Sequence, residues 1–177
     1  MIPFSQLDFQ FEPTRLKRQI NNVTDWIENG REGTLIGATG YGKTTVGIFA
    51  IRNVIKTFGR VPILVVVPSN YLKDQWEEIL SFHGIADTVE VVVINTVIKH
   101  SYNVKLVVLD EIHRYKAPEF SKVYEAVNYE FIKGLTATMN LKDPKFSIIQ
   151  QLCPVYDEVS ISECLKNNWV SEFISYT

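Results

Sequence analysis

The chain has 177 residues, of which 46% are apolar, and its formal net charge is −2. This length and apolar content are typical of one folded domain, which excludes a disordered linker, and the charge excludes a uniformly basic surface for nucleic acid. The cysteines, Cys153 and Cys164, are too few for a four-ligand zinc site. The sequence has neither a basic segment followed by an apolar run at its N terminus nor an apolar run long enough to cross a membrane. We therefore expect a reduced, cytoplasmic protein that does not insert into membranes.

The first predicted helix lies near the N terminus. Residues 1–12 hold three phenylalanines among polar residues and are expected to be an irregular segment that packs its rings on the core. From Pro13 onward, apolar residues recur at spacings of three and four, which predicts a helix that stops at Asn29-Gly30. Gln19 lies on this helix, where the pattern alone does not distinguish it from an ordinary solvated residue.

The segment Gly37-Ala38-Thr39-Gly40-Tyr41-Gly42-Lys43-Thr44 follows the pattern of a phosphate-binding loop. Such a loop needs glycines so that backbone N–H groups can turn towards phosphate oxygens, a lysine that reaches the β- and γ-phosphates, and a hydroxyl for Mg²⁺. Its context also fits, because a short buried strand ends at Ile36 and a helix is predicted over 44–57. We therefore predict a nucleoside triphosphate site formed by Thr39, Gly40, Tyr41, Gly42, Lys43, Thr44 and Thr45.

The rest of the chain alternates strands and helices. Apolar runs predict strands over 63–67, 89–94, 105–109, 131–135 and 155–161, and apolar stripes predict helices over 71–82, 97–100, 118–128 and 162–168. This alternation predicts right-handed crossovers and a mostly parallel sheet with helices on both faces. Because ligands bind at the carboxyl ends of such strands, the loop should share one edge with four other segments: Pro68-Ser69, Thr96, Asp110-Glu111 and Thr136-Ala137-Thr138.

Asp110 and Glu111 come directly after an apolar strand, where a phosphate-binding loop needs its partner. The aspartate can hold Mg²⁺, directly or through water, and the glutamate can orient and deprotonate a water that attacks the γ-phosphate. Taken alone, such a pair is common on protein surfaces. Together with the loop it favours hydrolysis over phosphoryl transfer to a small acceptor, since a hydrolase needs a group that activates water.

Three segments in this order resemble motifs I, II and III of superfamily two helicases of the DExH type: Gly37–Thr44, Asp110-Glu111-Ile112-His113 and Thr136-Ala137-Thr138. Gln19 stands where the family has an adenine-reading glutamine before the loop. The string from Gly134 to Thr138 is similar to that of bacterial, phage and repair helicases and translocases.

The resemblance covers almost the whole chain. Pro68 to Trp76 looks like motif Ia, which ends in Gln-Trp in the same group, and Asn95-Thr96 looks like motif Ib. Met139 departs from the family, which commonly has proline at this position. All three tryptophans are expected in the core or at a domain interface rather than stacked on bases.

The resemblance implies a RecA-like motor domain over 1–170, a three-layer α/β sandwich that hydrolyses ATP with Mg²⁺ and moves along nucleic acid. In such a domain Lys43 contacts the phosphates, Thr44 and Asp110 hold Mg²⁺, Glu111 activates water and Gln19 reads adenine. The resemblance further implies two groups of residues beyond the nucleotide. His113, Thr136 and Thr138 would couple nucleotide state to the partner domain, and Pro68, Ser69 and Thr96 would follow a sugar–phosphate backbone, with DNA favoured over RNA.

Motors of this family also need a second RecA-like domain, which carries motifs IV to VI and the arginine fingers. Residues 171–177 are expected to begin the linker to it, so the chain would be the N-terminal half of a longer protein; the other possibility is a natural single domain or a truncated gene. The ring of Tyr41 is expected either to lie over the nucleotide or to face that second domain. Without the arginine fingers, weak ATP binding and slow hydrolysis are expected.

Two other functions stay open. A small-molecule phosphotransferase would share the loop, but it would need neither Glu111 beside the metal aspartate nor Thr136-Ala137-Thr138. A non-catalytic nucleotide-binding module is favoured only if the chain is naturally this short.

Overall fold

The computed structural model describes residues 13–115 and 117–169. The expectations for residues 1–12 and for a linker over 171–177 therefore lie outside the described residues. Among the described residues, no helix combines the length and the apolar character that crossing a membrane requires.

Six strands and seven α-helices form the described part of the chain. In chain order they are α1 (Pro13–Glu28), β1 (Glu32–Gly37), α2 (Lys43–Phe58), β2 (Ile63–Val67), α3 (Asn70–Phe82), β3 (Val89–Val93), α4 (Ile94–Val97), β4 (Tyr102–Asp110), α5 (Ala117–Ala126), β5 (Val127–Thr136), α6 (Ser147–Leu152), β6 (Val155–Val159) and α7 (Ile161–Lys166). Short 3₁₀ turns cover Ile112–Arg114 and Pro144–Phe146.

The strands form one sheet in the order β3-β2-β4-β5-β1-β6, and every neighbouring pair is parallel. All five residues of β2 are buried, as a strand covered on both faces requires. Alternate β2 residues enter opposite cores: Val65 packs with Trp26, Val46 and Trp76, whereas Leu64 and Val66 pack with residues such as Phe120 and Ile149. The predicted parallel sheet with helices on both faces is confirmed.

The structure corrects several predicted element boundaries. β4 begins at Tyr102 rather than at residue 105, and β5 begins at Val127, inside the predicted helix over 118–128. Both strands are lengthened by mutual pairing, because Tyr102 lies opposite Val127 and Asn103 opposite Asn128. The short helix covers Ile94–Val97 rather than 97–100, since burial of Ile94 and Val97 fixes its inward face. α6 was not predicted, because its six residues are too few to show a helical period.

Gly134 is required by close packing within the sheet layer. A Cβ atom there would collide with Thr34 Oγ1 and would lie 3.1 Å from Ile112 Cδ1. Thr34 cannot turn away freely, because its hydroxyl donates to the Cys153 carbonyl oxygen at 2.7 Å. We expect Gly134→Ala to lower the free energy of unfolding by about 1–3 kcal/mol in urea titrations.

A double-mutant cycle with Thr34→Ala tests the cause of this loss. Removing the threonine hydroxyl removes the obstructing oxygen, so Gly134→Ala should cost less in the Thr34→Ala background than in the wild type. Equal costs in the two backgrounds would show that the collision with Thr34 is not responsible.

Candidate nucleotide-binding site

The sequence-predicted site residues meet at the carboxyl edge of the sheet. The loop follows β1, Asp110 ends β4 and Thr136 ends β5. These three strands are neighbours, with Asp110 in register with Leu135 and Ile36 in register with Thr136. The structure therefore brings the loop, the acidic pair and Thr136-Ala137-Thr138 into one region.

The loop presents the start of α2 without a side-chain cap. Gly40 has φ 87° and Gly42 has φ 96°, a left-handed conformation that glycine adopts without steric cost. Gly42 is the N-cap of α2, and as a glycine it has no side chain that could cap this helix end. The first N–H groups of a helix lack intrahelical partners and carry the positive end of its dipole, so this loop has the backbone features of an anion site.

Lys43 lies across the loop. A Cβ atom at Gly37 would be 2.8 Å from Lys43 Cγ, so the absent side chain at residue 37 makes room for the lysine stem. The Lys43 ammonium also acts electrostatically on the opposite strand end, since it offsets part of the rise that burial causes in the pKa of Asp110 and adds to the fall that burial causes in the pKa of His113. The lysine therefore stands between the phosphate-binding loop and the acidic pair.

Gln19 is buried beside the loop with half of its amide unsatisfied. Its Nε2 donates to the Tyr41 carbonyl oxygen at 3.0 Å, and a Cβ atom at Gly42 would lie 2.5 Å from that nitrogen. Its Oε1 is buried and has no hydrogen-bond partner in the structure. An unpaired buried acceptor is costly, and an amino donor such as that of adenine would satisfy it. The residues present thus fit an adenine nucleotide.

The ring of Tyr41 is fully buried, so both predictions for it are wrong. Its hydroxyl donates to Asn22 Oδ1 at 2.6 Å, and its ring centroid lies 5.8 Å from that of Trp169. Burying an aromatic ring is favourable when its hydroxyl finds a partner, and α1 supplies that partner here. The backbone of Tyr41 is engaged as well, since its N–H donates to the Ala38 carbonyl oxygen at 3.0 Å and its carbonyl oxygen accepts from Gln19.

Asp110 is a buried carboxylate with both oxygens engaged. Trp76 Nε1 donates to Oδ2 at 2.8 Å, and the Glu111 N–H donates to Oδ1 at 2.9 Å. Burial raises the pKa of Asp110, while the Trp76 hydrogen bond and Lys43 oppose that shift. A divalent cation beside this buried carboxylate would offset the cost of its burial and favour its ionised form. Mg²⁺ bound with a nucleotide would be held by Thr44 and Asp110 and would neutralise phosphate charge.

Glu111 begins a chain of polar contacts that reaches β5. Its φ of 53° is left-handed, a strained conformation for a non-glycine residue that is often found at functional sites. Its Oε2 lies 3.5 Å from His113 Nδ1, which lies 2.5 Å from Thr136 Oγ1. The Thr136 hydroxyl donates to the Thr138 carbonyl oxygen at 2.9 Å, so the His113–Thr136 bond needs its proton on Nδ1. Burial, Arg114 and Lys43 lower the pKa of His113, which favours a neutral ring.

The three residues predicted to contact nucleic acid also lie at this edge. Pro68 and Ser69 follow β2 and are half-buried, and Thr96 is exposed on α4 after β3. Ser69 is the N-cap of α3, and its Oγ accepts from the Leu72 N–H at 3.4 Å. All three are therefore partly or fully accessible from solvent.

A family model described as type III restriction enzyme, res subunit, matches residues 12–102, which is just over half of the chain. The chain belongs to this family. No curated protein matches the sequence significantly.

Several solved structures share the fold of this res-subunit family member. The SWI2/SNF2 ATPase core of Sulfolobus solfataricus, solved in complex with dsDNA, has a TM-score of 0.63 and 22% identity, over 77% of this chain and 35% of its own. The UvsW helicase from bacteriophage T4 has a TM-score of 0.60 and 18% identity, over 73% and 54% of the two chains. The Pyrococcus furiosus Hef helicase domain has a TM-score of 0.58 and 17% identity, over 78% and 37%.

The aligned part of this chain thus spans between about a third and about half of each of these solved proteins. The shared fold confirms the predicted RecA-like α/β sandwich.

Sequence reasoning missed the polar face of α1 that holds the loop of this res-subunit family domain. Asn22 accepts from Tyr41 and donates to Asp157 Oδ2 at 2.5 Å, and Arg18 binds both oxygens of Asp157, at 2.6 and 3.1 Å. Arg18 and Asn22 are four residues apart and Gln19 and Asn22 three, so they share one side of the helix. That spacing was the available signal for a functional face.

Proposed function

We propose that this chain is the ATP-binding motor domain of a nucleic-acid helicase or translocase, and that it hydrolyses ATP. The main support for this proposal is that the start of α2, which has no side-chain cap, and the acidic pair lie at the same edge of the sheet. A phosphate site alone would also suit a kinase. The contacts from Glu111 through His113 to Thr136 add a route by which the water-activating residue can be linked to the adjoining strand end.

In this proposal each site residue has one task. Lys43 holds the β- and γ-phosphates, and the backbone N–H groups of the loop surround them. Glu111 takes a proton from the attacking water as general base. Gln19 accepts from the adenine amino group through its unpaired Oε1. His113, Thr136 and Thr138 transmit the state of the site to a partner domain.

Nucleic acid would follow the same sheet edge. Pro68, Ser69 and Thr96 are offered as contacts to the sugar–phosphate backbone, and their accessibility supports this role. Contacts to the backbone are independent of sequence, and polar groups and backbone N–H groups can make them without a basic patch. We propose DNA rather than RNA as the partner, together with a second RecA-like domain that would supply arginine fingers.

Phosphate release with and without polynucleotide tests this function. We expect slow ATP hydrolysis by this chain alone, because the arginine fingers are proposed to come from the second RecA-like domain, and we expect acceleration by DNA. If ATP binds but no phosphate is released in the presence of single-stranded DNA, duplex DNA or RNA, the result would instead favour a non-catalytic module. Transfer of phosphate to a small acceptor would favour a phosphotransferase.

Lys43→Ala tests the loop directly. Removing a charge that pairs with phosphate in a partly buried site typically costs at least about 2 kcal/mol, so ATP affinity should fall by about 30-fold or more in calorimetric titrations. Lys122→Ala changes an exposed lysine on α5 and is the matched control, for which we expect unchanged affinity. An unaltered affinity in Lys43→Ala would contradict the assignment of the loop.

A further inference from the structure

Among the described residues, Trp76 is the tryptophan whose indole N–H is hydrogen-bonded to the acidic pair. Its indole Nε1 donates to Asp110 Oδ2 at 2.8 Å, and the residue is only 1% exposed. The other Asp110 oxygen accepts from the Glu111 N–H at 2.9 Å. With one donor on each oxygen, the carboxylate cannot rotate about its Cβ–Cγ bond without losing both bonds.

The indole is in turn held by the helix that starts at the phosphate-binding loop. A Cβ atom at Gly47 would lie 2.9 Å from Trp76 Cη2 and 3.1 Å from Leu135 Cδ1, so the ring fills the space that the glycine leaves. Gly47 comes one helical turn after Lys43 in α2. The tryptophan therefore touches α2 with its six-membered ring and Asp110 with its N–H group.

Hydrophobic packing alone does not explain an indole N–H aimed at this carboxylate. A hydrogen bond to an ionised acceptor is stronger and more directional than one between neutral groups. In metal sites, groups that bind a ligand from behind fix its orientation, and their loss typically weakens metal affinity by about 10–100-fold. Trp76 has the position of such a group relative to Asp110.

We propose that Trp76 is a positioning residue that orients the Asp110 carboxylate for Mg²⁺. The inference rests on the proposed role of Asp110 as the metal carboxylate. It adds that the metal site depends on α3, a helix that contributes no metal ligand, and that Gly47 is needed to admit the ring.

The test compares nucleotide affinity in Mg²⁺ and in EDTA, using a non-hydrolysable ATP analogue. For Trp76→Phe, which keeps a ring but removes the N–H donor, we expect the Mg²⁺ concentration at half-saturation to rise about tenfold. Affinity in EDTA should not change. Trp26→Phe is the matched control, because its indole N–H donates to the Ile132 carbonyl oxygen at 3.0 Å rather than to Asp110, and it should leave the Mg²⁺ dependence as in the wild type.

Nuclear magnetic resonance supplies a readout without catalysis. The indole N–H signals of Trp26, Trp76 and Trp169 belong to different hydrogen bonds, and each can be assigned with its Trp→Phe variant. Adding Mg²⁺ to the analogue complex should shift the Trp76 signal and leave the Trp26 signal in place. If Trp76→Phe fails to fold, Gly47→Ala, which displaces the ring while keeping its N–H, should also raise the Mg²⁺ requirement.

The outcomes separate this inference from the proposed function. If Trp76→Phe binds the analogue with the same Mg²⁺ dependence as the wild type, only the role of Trp76 is overturned. If Trp76→Phe does not fold, an unchanged Mg²⁺ dependence in Gly47→Ala leads to the same conclusion. An analogue affinity that is identical in Mg²⁺ and in EDTA for the wild type would overturn both the metal role of Asp110 and the inference that rests on it.

Discussion

Replacing Glu111 by glutamine is expected to lower the rate of ATP hydrolysis by on the order of 10²- to 10⁴-fold, which is the usual contribution of a general base. Glutamine keeps the size of the side chain but cannot accept a proton from water. ATP affinity should remain near that of the wild type, because Glu111 is proposed to act on the water and not on the phosphates. Steady-state phosphate release and equilibrium binding measure the two effects separately.

The matched control for this variant is Glu90→Gln. Glu90 is exposed on β3, at the edge of the sheet, and carries the same change of charge away from the loop. It should hydrolyse ATP at the wild-type rate. Turnover that survives Glu111→Gln would show that another group activates the water, and a parallel loss in Glu90→Gln would show that net charge is the cause.

The second large effect concerns Lys133, a fully buried lysine in β5. Its ammonium nitrogen is hydrogen-bonded to the Tyr156 hydroxyl and lies 4.3 Å from the Tyr156 ring centroid and 5.4 Å from that of Trp26. Burial lowers its pKa from 10.5 to about 7, with small opposing contributions from Cys153 and Asp157. The folded protein therefore loses this proton near neutral pH, whereas the unfolded chain keeps it.

This difference predicts a stability that rises with pH. Between about pH 7 and pH 9 the unfolded state binds more protons than the folded state, so deprotonation favours folding. Each pH unit in this range raises the free energy of unfolding by up to about 1.4 kcal/mol, and we expect a total rise of about 2 kcal/mol over the range. Below pH 7 both states are increasingly protonated and the contribution levels off. Urea titrations at a series of pH values measure it.

Lys133→Met should remove this pH dependence. Methionine is similarly long and unbranched but carries no charge, so the variant should be about 1–4 kcal/mol more stable than the wild type at pH 7. Lys142→Met changes an exposed lysine and should leave the pH profile unaltered. A variant at residue 133 that keeps the rise between pH 7 and pH 9 would place the responsible proton elsewhere.

The sequence was most informative where one local pattern carries both structure and chemistry. The apolar run Ile63–Val67 predicted a strand covered on both faces, and the glycine spacing of the loop predicted its position between β1 and α2. The parallel alternation of strands then predicted that Asp110 and Thr136 share one sheet edge with the loop. Local periodicity and the rule for strand ends are sufficient for such features.

Features that depend on distant contacts were not predictable in this way. The sequence predicted Trp76 in the core or at a domain interface, but not its hydrogen bond to a carboxylate 34 residues later. Lys133 stands in an apolar strand, and it is accommodated by the hydroxyl of Tyr156 and by the rings of Trp26 and Tyr156. The Tyr41 ring was expected either over the nucleotide or facing a second domain, and its hydrogen bond to Asn22 on α1 could not be predicted from the loop pattern.

The contacts of Tyr41 also bear on the order of events during synthesis. The loop is held through Asn22 to Asp157 and, through the Ala38 N–H, to the Val159 carbonyl oxygen at 2.9 Å. Arg18 and Asp157 are 139 residues apart in the chain, so these ties form only after β6 has left the ribosome. Until then β1 has only one neighbouring strand and the loop lacks part of its support. We therefore expect the proposed nucleotide site to become complete late in synthesis, although the loop itself is translated early.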